Sequence, residues 1–190
     1  MTTWKGTIGQ GFSPSGFRHY VDMLTFGAWR PQCVVLHNTG RPRLAEWHTV
    51  SGAQRMTNLT DYYKNRQHWS AGPHLFVADD LIWVFTPLST PGVHSPSWNS
   101  LSWGVEMVGD YATEPFGNAV RGNTIDALTT LHAAIGLDPQ TLKFHKEDPL
   151  TTHDCPGKYV VKADLIAAVS AQLSARHAGE HQPGHGWLAE

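Results

Sequence analysis

The stretch Phe144–Lys158, FHKEDPLTTHDCPGK, holds two histidines, three acids and one of the two cysteines of the chain. A short apolar piece, Leu142–Phe144, precedes it, and an amphipathic segment follows it. His145 and Cys155 are ten positions apart, too far to share a helical face, so a loop must bring them together. Imidazole and thiolate are ligands that zinc prefers, and a catalytic zinc site has three protein ligands and one open position.

The candidate for a third ligand is His37, which ends the most apolar strand-like run of the chain, Cys33–Leu36. An unbroken apolar run of this kind is typical of a strand buried on both faces. From its position alone, His37 fits a hydrogen-bonded histidine at the edge of the core as well as a metal ligand.

Four segments, in this order, resemble the zinc-dependent N-acetylmuramoyl-L-alanine amidases. They are VVLHNTG (34–40), GPHLFVADDLIWVF (72–85), HSPSWNSLSWGVEMVGDY (94–111) and FHKEDPLTTHDCPG (144–157), and together they span about residues 32–175. The family includes phage lysozyme-type amidases, cytosolic muropeptide-recycling amidases and peptidoglycan-recognition proteins. The resemblance implies a hydrolase that cuts between the muramic acid lactyl group and L-alanine.

The resemblance also implies the metal site. It identifies His37, His145 and Cys155 as the three ligands of one zinc ion, in a family whose third ligand is Cys or Asp. The alternative is that Cys155 is an ordinary small residue held in place by Pro156.

Amide hydrolysis needs a group that takes a proton from water and returns it to the leaving amine. Some members of the family use a Tyr where this chain has Pro73, and recycling-type members use a Glu that matches Glu106. The resemblance therefore implies Glu106 as the acid–base residue. Strand alternation places Val105 and Met107 on one face and Glu106 on the other, where it could also be an ordinary solvent-facing residue.

An oxyanion donor is implied two residues before the last ligand, where the family commonly has Lys and this chain has His153. A histidine donates a hydrogen bond in either protonation state, so this departure affects rate and pH optimum but not the reaction type. The alternative is that His153 itself binds the metal.

Three residues of the Pro- and Ser-rich loop 86–101 resemble the segment of the family that contacts substrate: His94, Trp98 and Asn99. His94 matches best, and it is expected to touch the peptide or the lactyl carbonyl. Trp98 is equally suited to anchoring the loop.

The chain has 190 residues, 41% of them hydrophobic and 16% charged, which predicts one globular domain. Strand and helix patterns alternate, so we predict a single α/β domain with a mixed central sheet flanked by helices. We predict an irregular arm at 1–31, with a short helix around 17–24, packed on the catalytic domain at 32–177, and a flexible tail at 178–190. The net charge of −2 and the absence of a basic stripe argue against a nucleic-acid partner.

Helices are predicted over 44–50 and over 57–66, with Asn58 or Thr60 as the cap of the second. Segments 73–77 and 81–85 are predicted to form a hairpin, and 101–108 another strand. Thr124 is the expected N-cap of a helix that stops at Gly136, and a final helix is expected to end before Gly179.

No signal-peptide pattern or apolar run of membrane-spanning length is present, so no membrane insertion is expected. We expect a monomer made in the cytoplasm that reaches the cell wall by lysis or another export route. The sequence leaves a phage endolysin, a recycling enzyme and an injected effector equally open, as it does polymeric wall and soluble muropeptide.

Two other functions compete with the zinc amidase. A hydrolase with Cys155 as nucleophile and His145 or His153 as base is disfavoured, because Pro156 removes a backbone N–H that such enzymes often use. A non-catalytic peptidoglycan-binding module is the other alternative, but relatives that only bind typically lose the cysteine ligand.

Overall fold

The computed structural model describes residues 3–180, and within this range six strands form one mixed sheet in the order β1-β4-β3-β5-β2-β6. The strands are β1 Gln10–Phe12, β2 Cys33–Asn38, β3 Leu75–Val77, β4 Ile82–Val84, β5 Ser102–Met107 and β6 Lys143–Phe144. The β3–β5, β5–β2 and β2–β6 pairs are parallel, whereas the β1–β4 and β4–β3 pairs are antiparallel. The predicted α/β fold with a mixed central sheet is confirmed.

The helices cover both faces of this sheet. They are α1 Pro14–Asp22, α2 Leu44–Trp47, α3 Gly52–Thr60, α4 Asn118–Ile135 and α5 Lys162–Glu180. A π-helical turn at Asp61–Arg66 continues α3, and 3₁₀ turns lie at Pro139–Thr141 and His145–Glu147.

The alternation of side chains along the strands divides the sheet into two faces. On what we call the apolar face, Val34, Leu36, Val105 and Met107 pack against α1, α4 and α5. On what we call the site face, Phe76 packs with α2 and α3. In the register of the sheet, Phe76 pairs with Glu106 on β5, and Glu106 pairs with His37 on β2. The predicted placement of Glu106 opposite Val105 and Met107 is therefore correct.

The N-terminal arm contains strand β1, which the sequence did not predict, and helix α1, which overlaps the short helix expected around 17–24. Strand β1 pairs with β4 at the edge of the sheet, where Gly11 lies opposite Trp83 and a side chain at Gly11 would collide with that indole. Helix α1 is capped by Ser13, whose Oγ accepts from Gly16 N, and it packs on α4. A three-residue strand with glycine at its centre gives too short an alternation to be recognised in the sequence.

Two predicted helix starts are wrong. Ser51 caps α3 through a hydrogen bond from Gln54 N, so Asn58 and Thr60 lie inside the helix. Helix α4 begins at Asn118 without a side-chain cap, and the hydroxyl of Thr124 bonds to Val120 O within the helix. The predicted stop is confirmed, since Gly136 has a left-handed conformation with φ of 70°.

Helix α5 continues through Gly179 to Glu180, past its predicted end. Residues 178–180, expected in the flexible tail, are thus helical, and the rest of that tail, 181–190, lies outside the described residues. Between residues 3 and 180, no helix is long and apolar enough to cross a membrane.

Candidate active site

The site lies where three parallel strands end. His37 is near the carboxyl end of β2, Glu106 is near the carboxyl end of β5, and His145 directly follows β6. Because neighbouring parallel strands end at the same edge of a sheet, their terminal residues meet there, as in other α/β sites. His37 and Glu106 are direct partners in the β2–β5 register, so their side chains project from the same face.

The loop after β6 brings Cys155 back to this edge, as predicted. Lys146 N donates to Cys155 O at 2.8 Å, which closes the loop beside His145. Asn38 N, at the end of β2, donates to Cys155 Sγ at 3.3 Å. One ligand atom each of His37, His145 and Cys155 lies within 4.8 Å of the other two. Two imidazoles and one thiol at this spacing fit the donor set of a catalytic zinc site.

The protonation states of these side chains suit a cation. Burial holds the pKa of His37 well below its ordinary value, and the neighbouring histidines His94 and His145 lower it further. Burial also lowers the pKa of His145, as does the charge of His153. Both imidazoles are therefore neutral near pH 7, which is the form that binds metals. Burial, followed by the charge of Glu106, raises the pKa of the Cys155 thiol, so a thiolate here needs a positive partner.

Glu106 is not an ordinary solvent-facing strand residue, which was the alternative to a catalytic role. Its Oε2 atom is fully shielded and has no hydrogen-bond partner, although the carboxyl group borders the cavity described next. Burial raises the pKa of Glu106 to about 8. A carboxyl group that titrates near neutral pH can both accept and return a proton.

A cavity of about 500 Å³ joins the predicted catalytic and metal-type residues. Its walls include His37, Glu106, His145, His153 and Cys155. A smaller cavity of about 250 Å³ adjoins it and shares the side chains of His145 and His153. The structure thus places all five of these residues at one opening.

His153 lies at the exposed mouth of the cavity rather than among the three ligand-type residues. Its ring stacks on that of His145, with 5.9 Å between centroids and 11° between planes. Its backbone N–H donates to Thr151 Oγ1, which fixes the turn that carries it. This position suits a donor to a substrate oxygen.

The three predicted substrate contacts differ in how they meet the two cavities: His94 borders both, Asn99 borders the smaller one, and Trp98 borders neither. Asn99 Oδ1 accepts from the backbone N–H groups of His94 and Ser95, at 2.7 and 2.8 Å, and so holds the loop. Lys143 Nζ lies 4.8 Å from the centroid of the Trp98 ring, and the backbone carbonyl of Trp98 accepts a hydrogen bond from Ser102 Oγ. Trp98 is therefore placed as a loop anchor, whereas Asn99 also lines the smaller cavity, where its contact with substrate stays a prediction.

His94 borders the cavity but is only 7% exposed. Its Nδ1 lies 3.1 Å from His37 Nε2, and its Nε2 faces Ser102, so both ring nitrogens are directed at protein atoms. Both ring nitrogens thus have protein partners, and the expected contact of His94 with the peptide or the lactyl carbonyl stays a prediction.

Tyr63 is a site residue that the sequence did not reveal. It lies on the π-helical turn after α3, is 9% exposed, and lines the cavity beside Glu106. Burial and then the charge of Glu106 raise its pKa well above the ordinary value. Tyr63 is hard to recognise in the sequence because a π-helical turn shifts side chains out of the 3.6-residue spacing that marks a helix face.

A second group of metal-type side chains lies apart from this site. His48, which follows α2, has a ligand atom within 4.8 Å of those of Asp79 and Asp80, which lie in the turn between β3 and β4. The group is largely exposed, and His48 Nε2 is paired with Asp79 Oδ1 at 2.7 Å. Exposed acidic groups of this kind are common in the absence of metal.

A sequence profile for N-acetylmuramoyl-L-alanine amidases matches residues 28–158, which is more than half of the chain. The chain belongs to this family. The predicted resemblance is thereby confirmed, and the protein is an enzyme that hydrolyses an amide bond of peptidoglycan. No curated protein sequence is a significant match to the chain.

Solved amidase-family structures share its fold at low sequence identity. The N-acetylmuramoyl-L-alanine amidase LysC from Clostridium intestinale URNW is 20% identical, with a TM-score of 0.61 over 75% of this chain and 87% of that one. Wild-type Drosophila PGRP-LB is also 20% identical, with a TM-score of 0.60 over 78% and 84%. The Ph2119 endolysin from a Thermus scotoductus MAT2119 bacteriophage is 20% identical, with a TM-score of 0.58 over 76% and 88%.

Proposed function

We propose that this amidase is zinc-dependent and cleaves the bond between the lactyl group of N-acetylmuramic acid and L-alanine. The observation that carries the proposal is the convergence of His37, His145 and Cys155, with ligand atoms within 4.8 Å, beside the shielded carboxyl group of Glu106. The three side chains come from distant parts of the chain, and a metal accounts for their meeting in one cavity.

The roles of the chain's own residues follow from their positions. Zinc held by His37, His145 and Cys155 would supply Lewis acidity toward the scissile carbonyl and the attacking water. Glu106 accepts a proton from that water and returns it to the departing nitrogen of L-alanine. His153, at the mouth of the cavity, donates a hydrogen bond to the carbonyl oxygen as negative charge develops on it.

The same bond occurs in polymeric wall and in soluble muropeptides, and both are substrates to test. Two of the similar structures are named endolysins, which supports action on the polymer. The cavity opens past the exposed aromatic side chains of Tyr62 and Trp69, which offer apolar surface to a saccharide or a stem peptide.

The test is to incubate the protein with intact sacculi and with small muropeptides, and to identify the products by mass. We expect free stem peptides that begin with L-alanine, and glycans that retain the lactyl group. Chelator treatment should abolish this activity and added zinc should restore it. Cleavage at another bond would contradict the proposed specificity, and full activity without metal would favour the cysteine-nucleophile alternative.

A further inference from the structure

The imidazoles of His37 and His94 are joined edge to face in the interior. His37 Nε2 lies 3.1 Å from His94 Nδ1, and the ring planes are 88° apart with 5.2 Å between centroids. A neutral imidazole has one protonated nitrogen and one with a lone pair, so one of these two nitrogens donates and the other accepts.

The surroundings of His94 determine which nitrogen accepts. Ser102 Oγ donates its proton to Trp98 O at 2.7 Å, so this oxygen can only accept from other groups. His94 Nε2 faces both Ser102 Oγ and Ser102 O, at 3.5 Å each. Because both are acceptors, the proton of the His94 ring belongs on Nε2. His94 Nδ1 then has the lone pair and accepts from His37 Nε2–H.

The position of the His94 ring is built into the fold. The backbone N–H of His94 donates to Asn99 Oδ1 at 2.7 Å. The hydroxyl of Ser95, the next residue, donates to the buried carboxylate of Asp148. On β5, a Cβ at Gly104 would lie 2.4 Å from the ring, so glycine is required to admit it.

We propose that His94 is a positioning residue for His37: it fixes the tautomer in which Nε2 is protonated and Nδ1 presents its lone pair to the metal. The inference rests on the proposed role of His37 as a zinc ligand. Hydrogen bonds from the second nitrogen of a metal-binding histidine orient the ring, and their loss typically costs about 10–100-fold in metal affinity.

The test compares zinc affinity, measured by competition with a chromophoric chelator, in wild type and three variants. His94→Phe keeps a ring of similar size but removes the acceptor, and should weaken zinc binding about 10–100-fold. His94→Asn places an amide oxygen near the position of Nδ1, and should recover part of the loss. His74→Phe is the matched control, because His74 is also buried and its ring meets that of His94 edge to face, yet its nitrogens bond to Gly104 N and Thr90 O.

The outcomes separate this inference from the proposed function. If wild type binds no zinc, the proposed function fails. If wild type binds zinc and His94→Phe binds it within about twofold, or His74→Phe loses as much, the positioning role is refuted. Should His94→Phe not fold, long-range ¹H–¹⁵N NMR of wild type still tests it. Both rings should be protonated at Nε2, and a His37 ring protonated at Nδ1 overturns the inference.

Discussion

The two faces of the central sheet are built in opposite ways. The apolar face is packed by α1, α4 and α5 with fully buried side chains such as Leu128 and Leu131. The site face has a smaller apolar cluster, and at its edge the Oε2 of Glu106 is shielded without a hydrogen-bond partner. A buried polar atom in that state costs free energy, so stability alone does not explain it. The difference indicates that the first face stabilises the fold and the second carries the chemistry.

The largest effect is expected from Glu106→Gln, which keeps the size of the side chain but cannot carry a proton. Activity should fall about 10²–10⁴-fold, while zinc content and the fold are retained. Steady-state turnover on a muropeptide, with metal analysis of the same sample, checks this prediction. Near wild-type turnover would mean that another group, such as Tyr63, moves the proton.

Although Glu106→Gln should lower activity, it should stabilise the fold of the metal-free protein. Folding raises the pKa of Glu106 from 4.5 to about 8, so the cost of its buried charge is absent below pH 4.5 and grows until the pH has passed 8. Glu106→Gln should therefore unfold at a higher temperature than wild type at pH 9, with a smaller difference at pH 4. Equal melting temperatures at pH 9 would show that the carboxyl group is not buried.

The next effect concerns His153, where two substitutions separate an oxyanion donor from a ligand. His153→Ala should lose about 10²–10³-fold in turnover and keep its zinc, whereas His153→Lys restores a donor and should remain active. Zinc loss in both variants would identify His153 as a ligand, because a protonated amine cannot replace an imidazole on a metal.

On the apolar face, Leu128→Ala should lower the free energy of unfolding by about 2–5 kcal/mol, since Leu128 is fully buried on α4. Zinc affinity and turnover at a temperature where the variant stays folded should be unchanged. Denaturant unfolding and chelator competition measure the two quantities. A parallel loss of zinc affinity would show that the two faces are not independent.

The smallest effect is expected from Asp148→Asn. Burial opposes the ionisation of Asp148, but hydrogen bonds from Ser95 and Ser97 lower its pKa to about 2. Removing the charge from these bonds should cost about 1–3 kcal/mol at pH 7. Because the folded pKa is lowered, this contribution is present above pH 3.8 and lost as pH falls toward 2. A stability difference that does not shrink between pH 5 and pH 2 would contradict this account.

The sequence predicted the parts of the structure that depend on local pattern. As predicted, the apolar run Cys33–Leu36 lies in β2 and Gly136 ends α4. Glu106 lies on the face opposite Val105 and Met107, as strand alternation predicted. The loop that joins His145 to Cys155 was also expected, because their separation excludes one helical face. In each case a few neighbouring residues contain the signal.

The features that were missed depend on contacts between distant segments. The ring of His94 contacts His37, 57 positions away, and the Asn99 side chain accepts hydrogen bonds from the backbone of its own loop. Neither arrangement leaves a periodic pattern in the sequence. Helix α4 starts after Gly117 without a side-chain cap, so no capping residue marks its start, and the prediction of Thr124 as the cap falls inside the helix.

The central claim is that His37, His145 and Cys155 hold one zinc ion, and metal analysis of the purified protein tests it most directly. We predict one zinc per chain in wild type and in the control His48→Ala, which removes the imidazole of the separate exposed group. Cys155→Ser should lose most of the metal, because a neutral hydroxyl replaces a thiolate ligand. Wild-type protein without stoichiometric zinc, or full zinc in Cys155→Ser, would contradict the claim.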